Sequence, residues 1–112
     1  MNHISFDDFM KVEICVGTIL TAEINNNLNN PAIVLTIDFG KKIGIKKSSA
    51  QLIANYTCDS LIKKQILAVI NFAPRQVGKI ISEVLVLGLS DNNNQPVLIS
   101  PDSNIKNGKK LY

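Results

Sequence analysis

Five apolar, β-branched runs separated by turn signals predict an all-β protein with short helices. A helical interval between the third and fourth runs is the order of a five-stranded OB-fold β-barrel. A glycine inside the long first run supplies the sharp coil that a small barrel needs in order to close. Strand number alone also fits other small barrels or a sandwich. The length of 112 residues corresponds to one domain, 1–112, with an N-terminal helical extension over 1–11 and a C-terminal tail over 101–112.

Ser5 opens a short helix over about residues 6–10, capping free N–H groups, while Asp7 and Asp8 suit the positive helix end. Phe6 and Phe9 share one face and are expected to lie on the body of the protein. Val12 to Ile24 reads as a long strand in which Val12, Ile14, Val16, Leu20, Ala22 and Ile24 oppose Glu13, Thr21 and Glu23. Gly17 marks a bulge or sharp coil within it. Asn25 to Asn30, broken by Leu28, is a polar loop before Pro31. Ala32 to Phe39 is the second strand, with Ile33, Leu35, Ile37 and Phe39 on one face. Gly40-Lys41-Lys42 is expected to turn tightly into a third strand, Ile43 to Lys47.

Ser48 to Asn55 has helical character, offering Leu52 and Ile53 to the core, and residues up to 63 complete the interval as short helix and loop. Gln65 to Phe72 is the fourth strand and Glu83 to Leu89 the fifth. A polar loop carrying Pro74, Arg75, Gly78 and Lys79 joins them. Asp91 to Asn94 turns into a short strand, Pro96 to Ile99, and Asn107-Gly108 is a further turn signal. Lys109 to Tyr112 is a final edge strand or a frayed tail.

An apolar fraction of 46% with moderate charge is that of a folded globular chain and excludes disorder. No apolar run reaches membrane-spanning length, so no membrane insertion is expected. The start, MNHISFDDFMKVE, has no basic n-region or apolar h-region, which predicts a cytoplasmic protein. Cys15 and Cys58 have no metal-ligand spacing, and Cys15 reads as a small core residue. His3 is the lone histidine and lies in the terminus. With no second histidine, metal-ligand cluster or phosphate-binding glycine loop, no catalytic constellation, metal or cofactor is expected.

Charge is unevenly spread along the chain. Residues 1–40 carry one lysine against five acids, whereas residues 41–79 carry eight Lys and Arg against Asp59 alone. The middle third either supplies a basic patch for a polyanion or an acidic peptide, or spreads its lysines over a solvated surface. The candidate ligand contacts are Lys46, Lys47, Ser48, Ser49, Gln51, Asn71, Pro74, Arg75, Gln76, Lys79 and Ser82. Phe39 and Phe72 read as core, and with two Tyr and no Trp the chain lacks the stacking platforms of general single-strand binders. Ile66 to Ile70 and Val84 to Leu87 are apolar on both faces and must be covered on both. Short helices and the tail are one cover; a second copy of the chain, making a homodimer, is the more economical one.

The segments Val16-Gly17-Thr18-Ile19, Ile37-Asp38-Phe39-Gly40, Gly44-Ile45-Lys46-Lys47-Ser48-Ser49-Ala50-Gln51, Val69-Ile70-Asn71-Phe72 with Pro74-Arg75-Gln76, and Ser82 to Gly88 run in order across nearly the whole chain. In these the chain resembles the tRNA-binding-domain family of OB-folds, and more closely its CsaA-type export-related chaperones. The resemblance implies a cytoplasmic OB-fold homodimer. It also implies a non-enzymatic chaperone that binds unfolded or precursor polypeptides and engages the secretion machinery, with tRNA as the alternative ligand of the same face. Gln76 stands where the wider family has a lysine, and Glu83-Val84 replaces its Gly-Met pair. Both changes reduce phosphate affinity, which favours polypeptide over tRNA.

Overall fold

The computed structural model describes residues 1–26 and 30–112, so the centre of the expected 25–30 loop lies outside the described residues. Helix α1 (Phe6–Met10) precedes β1 (Ile14–Asn25) and β2 (Ala32–Asp38). The one-turn helix α2 (Gly40–Ile43), β3 (Ile45–Ala50) and α3 (Cys58–Leu61) follow, and then β4 (Gln65–Val69). The C-terminal part holds β5 (Arg75–Val77), β6 (Ile80–Ser82), β7 (Leu85–Val86), β8 (Gly88–Ser90) and β9 (Pro96–Leu98).

Five antiparallel strands in the order β3-β2-β1-β4-β7 curl into the half-barrel of an OB-fold, with β5–β6 and β8–β9 as two-stranded ribbons beside it. The long strand β1 serves two partners: Ile14–Thr18 face β4, and Thr18–Asn25 face β2. The register slips between Ile19 and Thr21, so the bulge lies there and not at Gly17. Gly17 is needed for space, because a Cβ there would stand 2.7 Å from the Phe39 ring and from Ile37. Ile19, Ile33, Leu35, Ile37, Phe39, Leu52, Leu61 and Ile66 form the buried centre, matching the inward face expected of the second strand.

The third strand is displaced from its expected position at 43–47, and Ser48 to Asn55 is not helical: 48–50 belong to β3 and 53–55 form a turn. Ser48 and Ser49 pair with Leu35 and Val34. An unpaired edge on β2 recruits backbone partners more strongly than serine resists extension. The helix in this interval is α3, started by a Thr57–Ser60 capping box. Gly40-Lys41-Lys42 forms helix α2 instead of a tight turn.

The expected fifth strand, 83–89, is divided among several partners. Glu83 and Val84 bond to β3, Leu85 and Val86 pair with β4, and Gly88 begins the ribbon with β9. The polar loop between the fourth and fifth strands is the β5–β6 hairpin. At the N-terminus Ser5 caps α1 as expected and Asp8 completes a capping box with it, but Phe6 is 70% exposed, its ring against Phe9 at 6.3 Å and not on the barrel. The C-terminal tail takes the edge-strand option. Val16 N donates to Lys109 O, Gly108 N to Val16 O and Leu111 N to Ile14 O, filling the edge of β1 that β2 leaves free.

Candidate functional site: an apolar groove beside beta3

A groove of about 490 Å³ opens where β3, the start of the β5–β6 hairpin and the segment 82–88 meet. Its position follows from the way the barrel closes. Glu83 N donates to Lys47 O (2.8 Å), while Lys47 N donates to Glu83 Oε1 (3.0 Å). Ser49 N donates to Ser82 Oγ (3.2 Å), and Ser48 Oγ to Val84 O (3.1 Å). Side chains of Ser48, Ser82 and Glu83 thus replace ladder bonds between β3 and the returning chain. The substitution spreads the strands and leaves a cleft above the core.

The groove is largely apolar. Phe72 and Leu85, at 54% and 48% exposure, stand in its walls with Val84, Val86 and Leu98. The expectation that Phe72 belongs to the core is therefore corrected. β4 ends at Val69, and the chain turns outward before Phe72. Ser49 Oγ, buried in the same wall, has no hydrogen-bond partner among the described residues, an unmet demand beside the cleft. Charge in the lining is balanced between Arg75 and Glu83. The Glu83 carboxylate also lies 3.9 Å from Lys46 Nζ, so this one negative charge faces Arg75 in the lining and Lys46 at its edge.

Of the sequence-derived contacts, Ser48, Ser49, Arg75 and Ser82 line the groove. Lys46 reaches its edge through Glu83. Lys47 contributes backbone to the closure, with its residue exposed, and Gln51 and Pro74 are exposed outside the lining. Gln76 turns back to donate to Gly78 O, and Lys79 sits at the exposed hairpin tip. Asn71 is engaged elsewhere: its amide donates to Lys11 O (2.8 Å) and accepts from Glu13 N (3.0 Å), tying the N-terminal segment to β4. The residues that sequence reasoning missed are the apolar ones, Phe72, Leu85, Val86 and Leu98. For Leu85 and Val86 the signal was the failure of polar-apolar alternation along 84–87.

Cys15 is buried, and burial pushes its thiol pKa up, with Glu13 adding to the effect, which makes it a packing residue. Among the described residues no three of His, Cys, Asp and Glu gather as a metal site, and no helix is long and apolar enough to cross a membrane.

Comparison with known proteins agrees with this architecture. The model of the family described as "Putative tRNA binding domain" matches residues 14–110. The crystal structure of the chaperone CsaA of Bacillus anthracis superposes with a TM-score of 0.92 at 40% identity, covering 99% of this chain and 100% of that one. The CsaA chaperone protein of Picrophilus torridus gives a TM-score of 0.89 at 44% identity, covering 98% of this chain and 100% of that one. The methionine–tRNA ligase of Parabacteroides distasonis is 29% identical over 111 residues, 97% of this chain. The chain spans 16% of that ligase's length. The ligase thus shares with this chain a stretch the size of the family domain and not its whole length.

Proposed function

The chain belongs to the tRNA-binding-domain family, and from that premise we propose that it is a CsaA-like chaperone whose groove holds segments of unfolded or precursor polypeptides. The observation that carries this reading is the character of the groove: exposed Phe72 and Leu85 over a row of hydroxyls, with Arg75 and Glu83 balancing. Apolar walls take side chains of a client, and the exposed Arg75 guanidinium donates to its backbone carbonyls. Phosphate recognition asks for a cluster of positive charge, whereas the lining holds one arginine against one glutamate. The protein works in the cytoplasm during protein export, delivering clients to the secretion machinery. Its working form is a homodimer, supported by Phe6, Leu89 and other apolar side chains left exposed on one copy.

A second reading, tRNA held by the same face, is supported by the family match over 14–110 and by Arg75 in the lining. Titration with a reduced, unfolded polypeptide and with tRNA across one salt series separates the two. The chaperone reading expects polypeptide binding that changes little with salt, and about tenfold weaker binding in Leu85→Asp and Phe72→Ala. A folded protein that ignores unfolded polypeptide sinks it. The tRNA reading expects steep salt dependence and loss of affinity on neutralising Lys46, Lys47, Arg75 and Lys79.

A further inference from the structure

We propose that the protein has a second ligand surface, apart from the groove, on which a lysine-lined depression takes the phosphate backbone of a nucleic acid while polypeptide occupies the groove. The proposal stands on charge and geometry, so it can fail without the polypeptide reading failing. Lys41 and Lys42 of α2 and Lys106 and Lys109 of the C-terminal segment line one depression of about 710 Å³. A neighbouring depression shares Lys106 and Asn107 with it and adds Lys63.

Backbone contact brings these distant residues together. Gly40 and Gly108 have φ of +89° and +93°. A Cβ on Gly40 would stand 2.7 Å from Asn107 O, and one on Gly108 2.5 Å from Phe39 O. The two segments meet at a distance that glycine alone permits. Hydrogen bonds from Gly108 N to Val16 O (2.8 Å) and from Val16 N to Lys109 O (3.0 Å) then fix the C-terminal segment to β1. The lysines therefore sit on anchored backbone.

Among the described residues none of these five lysines enters an ion pair; the pairs that form use Lys11 and Lys46. No carboxylate lines the depression. Asp38, the adjacent acid, accepts a hydrogen bond from Gly40 N at 2.8 Å. Its charge leaves a positive excess. The choice of phosphate over an acidic peptide follows from what else is present. Of the two large apolar residues of the lining, Phe39 is 1% exposed and Ile43 is partly buried against the core, so neither projects as an anchor for a peptide. The Asn107 carbonyl oxygen is occupied by the Thr18 hydroxyl (2.7 Å) and the Gln65 amide (3.2 Å). What remains is charge without sequence reading, the kind of contact that a phosphate backbone takes. The groove and the depression have no lining residue in common.

The test uses the full chain, fluorescently labelled bulk tRNA and a reduced, unfolded polypeptide, read by anisotropy between roughly 50 and 300 mM salt. The quadruple variant Lys41→Gln, Lys42→Gln, Lys106→Gln, Lys109→Gln is expected to lose tRNA affinity by about tenfold or more and to lower the salt slope by about three. Its polypeptide affinity stays within about twofold of wild type, and saturating polypeptide leaves tRNA binding unchanged on the same scale. The pairs Lys41→Gln/Lys42→Gln and Lys106→Gln/Lys109→Gln each give part of the loss, which guards against a misfolded quadruple variant. Wild-type tRNA affinity in the quadruple variant would overturn the proposal. So would displacement of tRNA by polypeptide, or absence of tRNA binding at the lowest salt. Polyglutamate binding as tightly as tRNA would assign the surface to acidic polypeptide and overturn it equally.

Discussion

Gly108 lies where the C-terminal segment presses on the end of β2, and its backbone has a φ of +93°. An alanine there meets two costs: a left-handed backbone, about 1–2 kcal/mol, and a Cβ 2.5 Å from Phe39 O. Gly108→Ala is expected to lower Tm by about 5 °C or more in a thermal melt, with the ends of β1 and β2 losing amide-exchange protection first. An unchanged Tm would mean that the contact relaxes freely. The sequence marked Asn107-Gly108 as a turn, which describes the conformation and not the contact. Asn71 shows the same gap from the other side. Its residue type announced hydrogen-bonding capacity, but whether the amide faces a ligand or the backbone at 11 and 13 depends on how the N-terminal segment crosses β4.

The β8–β9 ribbon shows how an element is held by one side chain. The Asp91 carboxylate accepts hydrogen bonds from Gln95 N (2.9 Å), Asn93 N (2.8 Å) and Asn55 Nδ2 (2.9 Å). The Gln95 backbone bond, followed by the Asn55 and Asn93 bonds, holds its pKa below the ordinary 3.8. A lowered folded pKa gives stability that is fully present above the unfolded value and is lost as pH falls through the folded one. The difference in Tm between wild type and Asp91→Ala is thus expected to be constant above about pH 5 and to shrink progressively below pH 4. A difference that persists unchanged at pH 2 would contradict the carboxylate's role. Sequence reading placed this turn correctly, because Asp and Asn announce their own local bonds. It gave helical character to Ser48–Asn55 and kept 83–89 as one strand, because β3 and the 83–89 run take their form from partners far away in sequence.

For the whole molecule, two quantities decide function: which apolar surface is left over and where the lysines converge. The C-terminal tail covers part of β1 and β4, as one of the two covers considered from sequence. Leu89 at 67% exposure, with Val97 beside it on the β8–β9 ribbon, remains open. A homodimer that buries this surface is expected to sediment as a dimer at tens of micromolar, and Leu89→Asp to shift it toward monomer. A wild-type monomer at that concentration would count against the shared interface.

The sequence by itself determined the all-β class, a succession of strands that an OB-fold accommodates and the inward face of β2, because these rest on local periodicity and turn chemistry. Four of the contacts it proposed, Ser48, Ser49, Arg75 and Ser82, line the groove. Only the tertiary structure decided that the groove is nearly neutral and apolar, and that a separate lysine surface draws on Lys106 and Lys109 as well as Lys41 and Lys42. The C-terminal third has equal numbers of basic and acidic residues and looked unremarkable along the chain. Electrostatic fields sum over positions in space, and it is the contact of the chain at Gly40 with that at Gly108 that sets those positions here.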